Sequence, residues 1–122
     1  MKNEQSAEDY LEAILLLTRK KVDVHAVDIA SELGFSKPSV SIAIKKLILK
    51  GYICINREKH ISLTESGMEY AKQIYERHEV LLKWLISVGV SESVAEIDAC
   101  KMEHVISKET FEAIKKLYSV NN

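Results

Sequence analysis

One stretch breaks the rhythm of this chain. Ile53-Cys54-Ile55 and Ile61-Ser62-Leu63 each alternate apolar with small or polar residues, and between them lies a polar tip, Asn56-Arg57-Glu58-Lys59-His60. Period two is the spacing of half-buried strands, so the stretch reads as a two-stranded hairpin, with Cys54 expected as a small packed residue. Elsewhere the apolar residues recur at helical spacing. One Pro and four Gly in 122 residues leave little room for long loops. The pattern predicts a mainly α fold with a small β-hairpin.

The segment before the hairpin sharpens this. Ala26 to Leu33 reads as a short helix with apolar Val27, Ile29, Ala30 and Leu33, ended by Gly34 in a left-handed turn. Ser36 can cap the next helix, with Lys37 and Pro38 in its first turn, where Pro is tolerated. Val40, Ala43, Ile44 and Leu47 then repeat at i, i+3, i+4 and i+7 up to Gly51, leaving Ser39, Ser41, Ile42, Lys45 and Lys46 off the core face. Two short helices joined by a Gly-containing turn match a helix-turn-helix. Small residues at the start of the second helix let it approach base edges. With the hairpin behind it as a wing, Arg57, Lys59 and His60 would reach the DNA backbone or minor groove.

Charge supports the same surface. Residues 37–60 hold six basic residues against one acidic, a balance of +5, while the flanks 1–36 and 61–122 each carry −3, giving the net −1. A basic centre between acidic flanks suits a polyanion such as double-stranded DNA. An ordinary helical hairpin in a core has no use for it.

The flanks carry a different chemistry. The first helix is expected from about Ala7 to Arg19, capped by Ser6, with Tyr10, Leu11, Ile14, Leu15 and Leu17 inward. Its Asp9 and Glu12 share another face, either as favourable charges near the helix start or as ligands. A long helix follows the hairpin, from Thr64-Glu65-Ser66-Gly67 to about Val88, with His78 on or near its apolar side. Leu81, Leu82, Trp84 and Leu85 supply more apolar surface than one small domain hides, which suits a symmetric dimer. Ser93 to Ile106 has no Gly or Pro and reads as one helix, so Cys100, Glu103 and His104 share a face. A thiol, a carboxylate and an imidazole together bind transition metals, though the same trio also suits a solvated face. Ser107 is expected to cap a last helix. No apolar run reaches membrane-span length, the polar start MKNEQSAEDY lacks a signal-peptide core, and two Cys are too few for a disulfide scaffold, so a cytoplasmic protein is expected.

Glu8-Asp9-Tyr10-Leu11-Glu12-Ala13-Ile14, Arg77-His78-Glu79 and Asp98-Ala99-Cys100-Lys101-Met102-Glu103-His104-Val105-Ile106-Ser107, with the winged helix between, resemble the metal-dependent repressors that include the diphtheria toxin repressor and the manganese transport regulator. The resemblance covers nearly the whole chain. It implies a winged helix-turn-helix DNA-binding domain in residues 1–64 and a helical metal-binding and dimerisation domain in residues 65–122. It places the metal ligands on Asp9, Glu12, His78, Cys100, Glu103 and His104, and DNA contacts on Ser36, Pro38 and Ser39. Asp9 and Glu12 match the manganese-sensing branch and Cys100 the iron-sensing one, so the metal is Mn2+ or Fe2+, with Co2+ or Zn2+ also able to bind in vitro. Leu82 stands where the iron sensors place a second-site Glu, which counts against an ancillary site. The resemblance is to the shorter members, for which no SH3-like domain like that of the longer iron sensors is expected. Ile42 falls where some members carry a polar base-reading residue. The implied function is a metal-activated repressor acting as a homodimer on a pseudo-palindromic operator. A winged-helix regulator indifferent to metal is the first rival. A metalloenzyme is the second, but it leaves the basic helix-turn-helix without a role.

Overall fold

The computed structural model describes the backbone of residues 2–121 and the side chains of residues 7–118. Six helices and one hairpin follow in order: α1 (Lys2–Lys20), α2 (Ala26–Leu33), α3 (Lys37–Leu49), β1 (Ile53–Ile55), β2 (Ile61–Leu63), α4 (Glu65–Ser87), α5 (Glu92–Met102) and α6 (Lys108–Asn121). The chain forms two compact units, Met1–Lys72 and Gln73–Asn122, with the boundary inside α4.

In the first unit α1 begins earlier than expected. Nothing in Lys2-Asn3-Glu4-Gln5 breaks a helix, so Ser6 lies inside α1 rather than capping it. Tyr10, Leu11, Ile14, Leu15 and Leu17 are buried as predicted. Gly34 ends α2 at φ 72°, donating its N–H to the Ala30 carbonyl. Ser36 caps α3, its Oγ accepting from the Ser39 N–H at 3.3 Å. Val40, Ile44 and Leu47 are buried, and of the apolar residues of α2 Ile29 and Ala30 are buried while Val27 is exposed.

The hairpin is antiparallel, pairing Ile53 with Leu63, Cys54 with Ser62 and Ile55 with Ile61. Ile53 and Ile61 supply its buried face. Cys54 corrects the expectation made for it: it is exposed, on the outward face beside Ser62, with Sγ 3.2 Å from Ser62 Oγ. The Ile61 N–H donates to the Val24 carbonyl at 2.7 Å, which fastens β2 to the connection between α1 and α2. Thr64 joins β2 to α4. Its Oγ1 accepts from the Gly67 N–H at 3.1 Å and donates to the Gly51 carbonyl at 2.6 Å. Gly67 lies so close to the Tyr52 carbonyl that a Cβ there would collide with it.

In the second unit Leu81, Leu85, Ala95 and Ala99 form the core, with Leu82, Trp84, Val90, Met102, Ile106 and Ile114 packed against it. Small Ala95 and Ala99, four residues apart, give α5 a flat face for close approach. Gly89 turns the chain at φ 106°. Ser107 caps α6 as predicted, its Oγ accepting from the Thr110 N–H at 3.1 Å. The helix expected through Ile106 stops at Met102, and Glu103 to Val105 form turns.

Candidate metal centre and nucleic-acid interface

That early stop positions the centre of the second unit. Glu103 is the C-cap of α5, its N–H donating to the Ala99 carbonyl at 3.0 Å. Arg77 of α4 holds the turn from outside α5, donating from Nη1 to the carbonyls of Glu103 at 3.1 Å and Ile106 at 3.4 Å. Its guanidinium carbon lies 5.4 Å from the centre of the Phe111 ring. A cation at the carbonyl end of a helix also complements the helix dipole.

The Glu103 side chain is completely buried, an unusual place for a carboxylate. Two imidazoles face it. His78 Nδ1 is 3.7 Å from Oε2 and His104 Nε2 is 3.6 Å from Oε1, with 12% and 2% of those side chains exposed. Both distances exceed a hydrogen bond. Among the described residues, neither Glu103 oxygen nor His78 Nδ1 has a hydrogen-bond partner. An ion bound at roughly 2.1 Å separates its neighbouring ligand atoms by about 3.0–3.4 Å, so a small contraction around a cation converts this spacing into coordination. One carboxylate and two imidazoles suit Mn2+ or Fe2+, and also Co2+ or Zn2+.

The other nitrogen of His78 is occupied: Nε2 lies 2.8 Å from Glu96 Oε1. A carboxylate behind a ligating His fixes its tautomer and leaves the opposite nitrogen for a metal. Glu103, then Glu96, push the pKa of His78 up to about 9 against the opposing effect of burial.

Sequence reasoning placed six ligands, and the second unit gathers His78, Glu103 and His104 into one cluster. Cys100 is exposed on the last turn of α5. Asp9 and Glu12 lie half-buried and one turn apart on α1 in the first unit. Glu96 and Arg77 were missed as functional residues. Glu96 precedes Glu103 by seven residues, two helical turns, and that heptad spacing was the available signal. Arg77 stands in the quoted stretch Arg77-His78-Glu79, but its role is not legible there, because its partners are backbone carbonyls far along the chain.

The expected DNA-facing residues lie in the first unit. Ser36, Lys37, Pro38, Ser39, Ser41, Ile42, Lys45 and Lys46 are all exposed on or just before α3. Arg57 and Lys59 are exposed at the hairpin tip, where Lys59 takes φ 67°. Ser36 and Ser39 bond to each other through their hydroxyls at 2.9 Å, so base contacts by either compete with the cap. His60 is half-buried at the end of the hairpin turn, just before β2, with Nδ1 3.4 Å from Asp23 Oδ1.

Comparison with known proteins agrees with both halves of this picture. The family described as iron dependent repressor, N-terminal DNA binding domain, matches residues 4–61. The family described as iron dependent repressor, metal binding and dimerisation domain, matches residues 64–120. The transcriptional regulator MntR of Escherichia coli O6:H1 is 36% identical over 108 residues, covering 88% of this chain and 70% of that protein. A helix-turn-helix-type transcriptional regulator of Methanocaldococcus jannaschii is 35% identical over 113 residues, covering 91% of this chain and 90% of its own. Among solved structures, a manganese-dependent transcriptional repressor in complex with manganese superimposes with a TM-score of 0.81 at 26% identity over 90% of this chain. The chain spans about half of that structural relative, 51% of its length.

Proposed function

The chain belongs to the iron-dependent repressor family, and from that premise we propose that it is a metal-activated DNA-binding repressor, working as a homodimer on a pseudo-palindromic operator. The observation that carries the metal half is Glu103: a buried carboxylate, without a hydrogen-bond donor among the described residues, faced by two imidazoles. The family resemblance adds Asp9, Glu12 and Cys100 to the ligand set, with Mn2+ or Fe2+ as the physiological ion. The bound ion takes the place of the proton that His78 holds against Glu103. The exposed residues of α3 enter the major groove, and Lys45, Lys46, Arg57 and Lys59 hold phosphates. Activation follows from binding the ion more tightly in the DNA-competent state than in the other. No helix is long and apolar enough to cross a membrane, and we place the protein in the cytoplasm, without a catalytic role.

The test is anaerobic fluorescence anisotropy on DNA from upstream of the protein's own gene and of nearby metal-transport genes. Mn2+, Fe2+, Co2+ and Zn2+ are compared, with chelator reversal. Mn2+ or Fe2+ is expected to raise affinity in the parent. Glu103→Ala and His104→Ala are expected to lose that response while remaining folded dimers. Metal-stimulated affinity unchanged in both variants defeats the assignment. Tight, metal-blind binding by the parent leaves only the DNA-binding half.

A further inference from the structure

A groove of about 610 Å³ lies in the first unit, lined by α1, α3 and the turn between α2 and α3. Its volume is within the range of small-molecule sites, roughly 300–1,000 Å³. Tyr10 of α1 and Phe35 of the turn supply aromatic wall, their ring centroids 5.8 Å apart and their planes tilted at 56°. Ile42 and Leu47 of α3 add aliphatic wall. Ala7 and Ala43 also line the groove, and because their side chains end at Cβ they leave its space open.

The walls are anchored. Tyr10 and Leu47 belong to the buried core. The Phe35 N–H donates to the Ala30 carbonyl at 3.2 Å, which fixes the turn. Phe35 and Ile42 nevertheless stay exposed, two large apolar side chains beside one opening. The rest of the lining carries one sign of charge. Lys46 and Lys50, one helical turn apart on α3, are exposed beside the groove, and among the described residues no acidic side chain lines it. DNA phosphates can reach these ammonium groups, but a phosphate is polar and cannot fill an aromatic and aliphatic wall.

We propose that this groove binds an aromatic carboxylate, its ring against Tyr10 and Phe35 and its carboxylate against Lys46 and Lys50, and that its occupation excludes DNA.

The lining fits that chemistry at both ends. A third ring can join the tilted pair at the 4.5–7 Å centroid spacing of aromatic contacts, burying its faces against Ile42 and Leu47. Two ammonium groups offer charge-assisted donors to one carboxylate, with no competing acid in the lining. Exclusion follows from shared residues. Ser39, Ile42 and Lys46 line the groove and also stand on the face of α3 assigned to the major groove. A ligand seated there covers that face and takes up an ammonium that would hold a phosphate. This consequence rests on the DNA-binding reading above, whereas binding of the carboxylate itself does not. Glu103, His78 and His104 take no part in the lining, so the groove gives a second input to α3 besides the metal.

The test is equilibrium dialysis of the metal-free full chain against 2-naphthoate, with 2-naphthamide as the neutral comparison. The parent is expected to bind naphthoate and to bind the amide at least about tenfold more weakly. Ala43→Leu fills the groove and is expected to weaken naphthoate at least about fivefold. Phe35→Ala removes one wall and is expected to weaken it about threefold to tenfold. Lys50→Gln is expected to weaken it about twofold to fivefold. Far-UV circular dichroism checks the fold, and Phe35→Ala decides the matter if Ala43→Leu does not fold. In the operator anisotropy assay, naphthoate is expected to raise the apparent Kd of the parent for DNA. Absence of naphthoate binding overturns the site, as does equal affinity for the amide or unchanged affinity in Ala43→Leu and Phe35→Ala. Bound naphthoate that leaves DNA affinity unchanged overturns the exclusion. A parent that binds naphthoate with these variant effects, but binds no DNA with any metal, supports the site and defeats the repressor reading instead.

Discussion

Glu103→Gln isolates the charge at the centre of the cluster. The substitution keeps shape and volume but removes the carboxylate that His78 Nδ1 faces at 3.7 Å. Glu103 is the largest reason His78 titrates at about 9, whereas burial alone would lower its pKa. With the charge gone, Glu96 alone opposes burial, so the midpoint should fall from about 9 towards the ordinary value of 6.5. Each pH unit corresponds to about 1.4 kcal/mol of interaction between imidazolium and carboxylate, less whatever water around the ring screens. The assay is an NMR titration of the His78 ring in the chelator-treated chain. The same measurement fixes a stability trend. His78 is raised above its unfolded value, so its contribution is complete below about pH 6.5 and is lost as pH rises through about 9. Urea midpoints of the metal-free parent should fall across that window, and those of Glu103→Gln should not fall there. Metal affinity runs the opposite way, because the ion must displace the His78 proton and therefore binds more tightly as pH rises. A His78 midpoint still near 9 in Glu103→Gln would refute the reasoning and assign the shift to Glu96.

Other outcomes are open to direct test. Leu81→Ala removes a fully buried side chain from the second core and should cost about 2.7–5 kcal/mol by urea denaturation. Gly67→Ala drives a methyl into the Tyr52 carbonyl and should cost about 1–3 kcal/mol in the same assay, where a neutral result would show that the junction yields. Lys46→Ala should weaken DNA binding evenly across sequences and reduce the salt slope by about 1, read by anisotropy at several salt concentrations.

The DNA-binding half was legible because its signals are local. Gly34, Ser36, Pro38 and the spacing of Val40, Ile44 and Leu47 each act within one turn, and the hairpin announces itself by a change of period. The metal half was legible as residue types and only partly as geometry. No residue between Ser93 and Ile106 breaks a helix, so the stop at Met102 could not be read from sequence. There the Arg77 guanidinium takes up the carbonyls of Glu103 and Ile106, a bond between residues far apart in the chain. The expected shared face also came apart: Glu103 is buried while Cys100 is exposed. Cys54 went astray differently. Alternation identifies the two faces of a strand but does not say how deeply either is covered, and the face of Cys54 and Ser62 is open.

The bond between Ile61 and Val24 limits how this hairpin could be re-engineered. Two strands of three residues are too short to hold a register unaided. The register here is borrowed from the connection between α1 and α2, so the hairpin is not a portable cassette. A graft meant to change operator preference could replace Arg57 and Glu58, with a residue that tolerates φ 67° kept at Lys59. It would need to carry Val24 with Ile61, or the transplanted tip would arrive without its alignment.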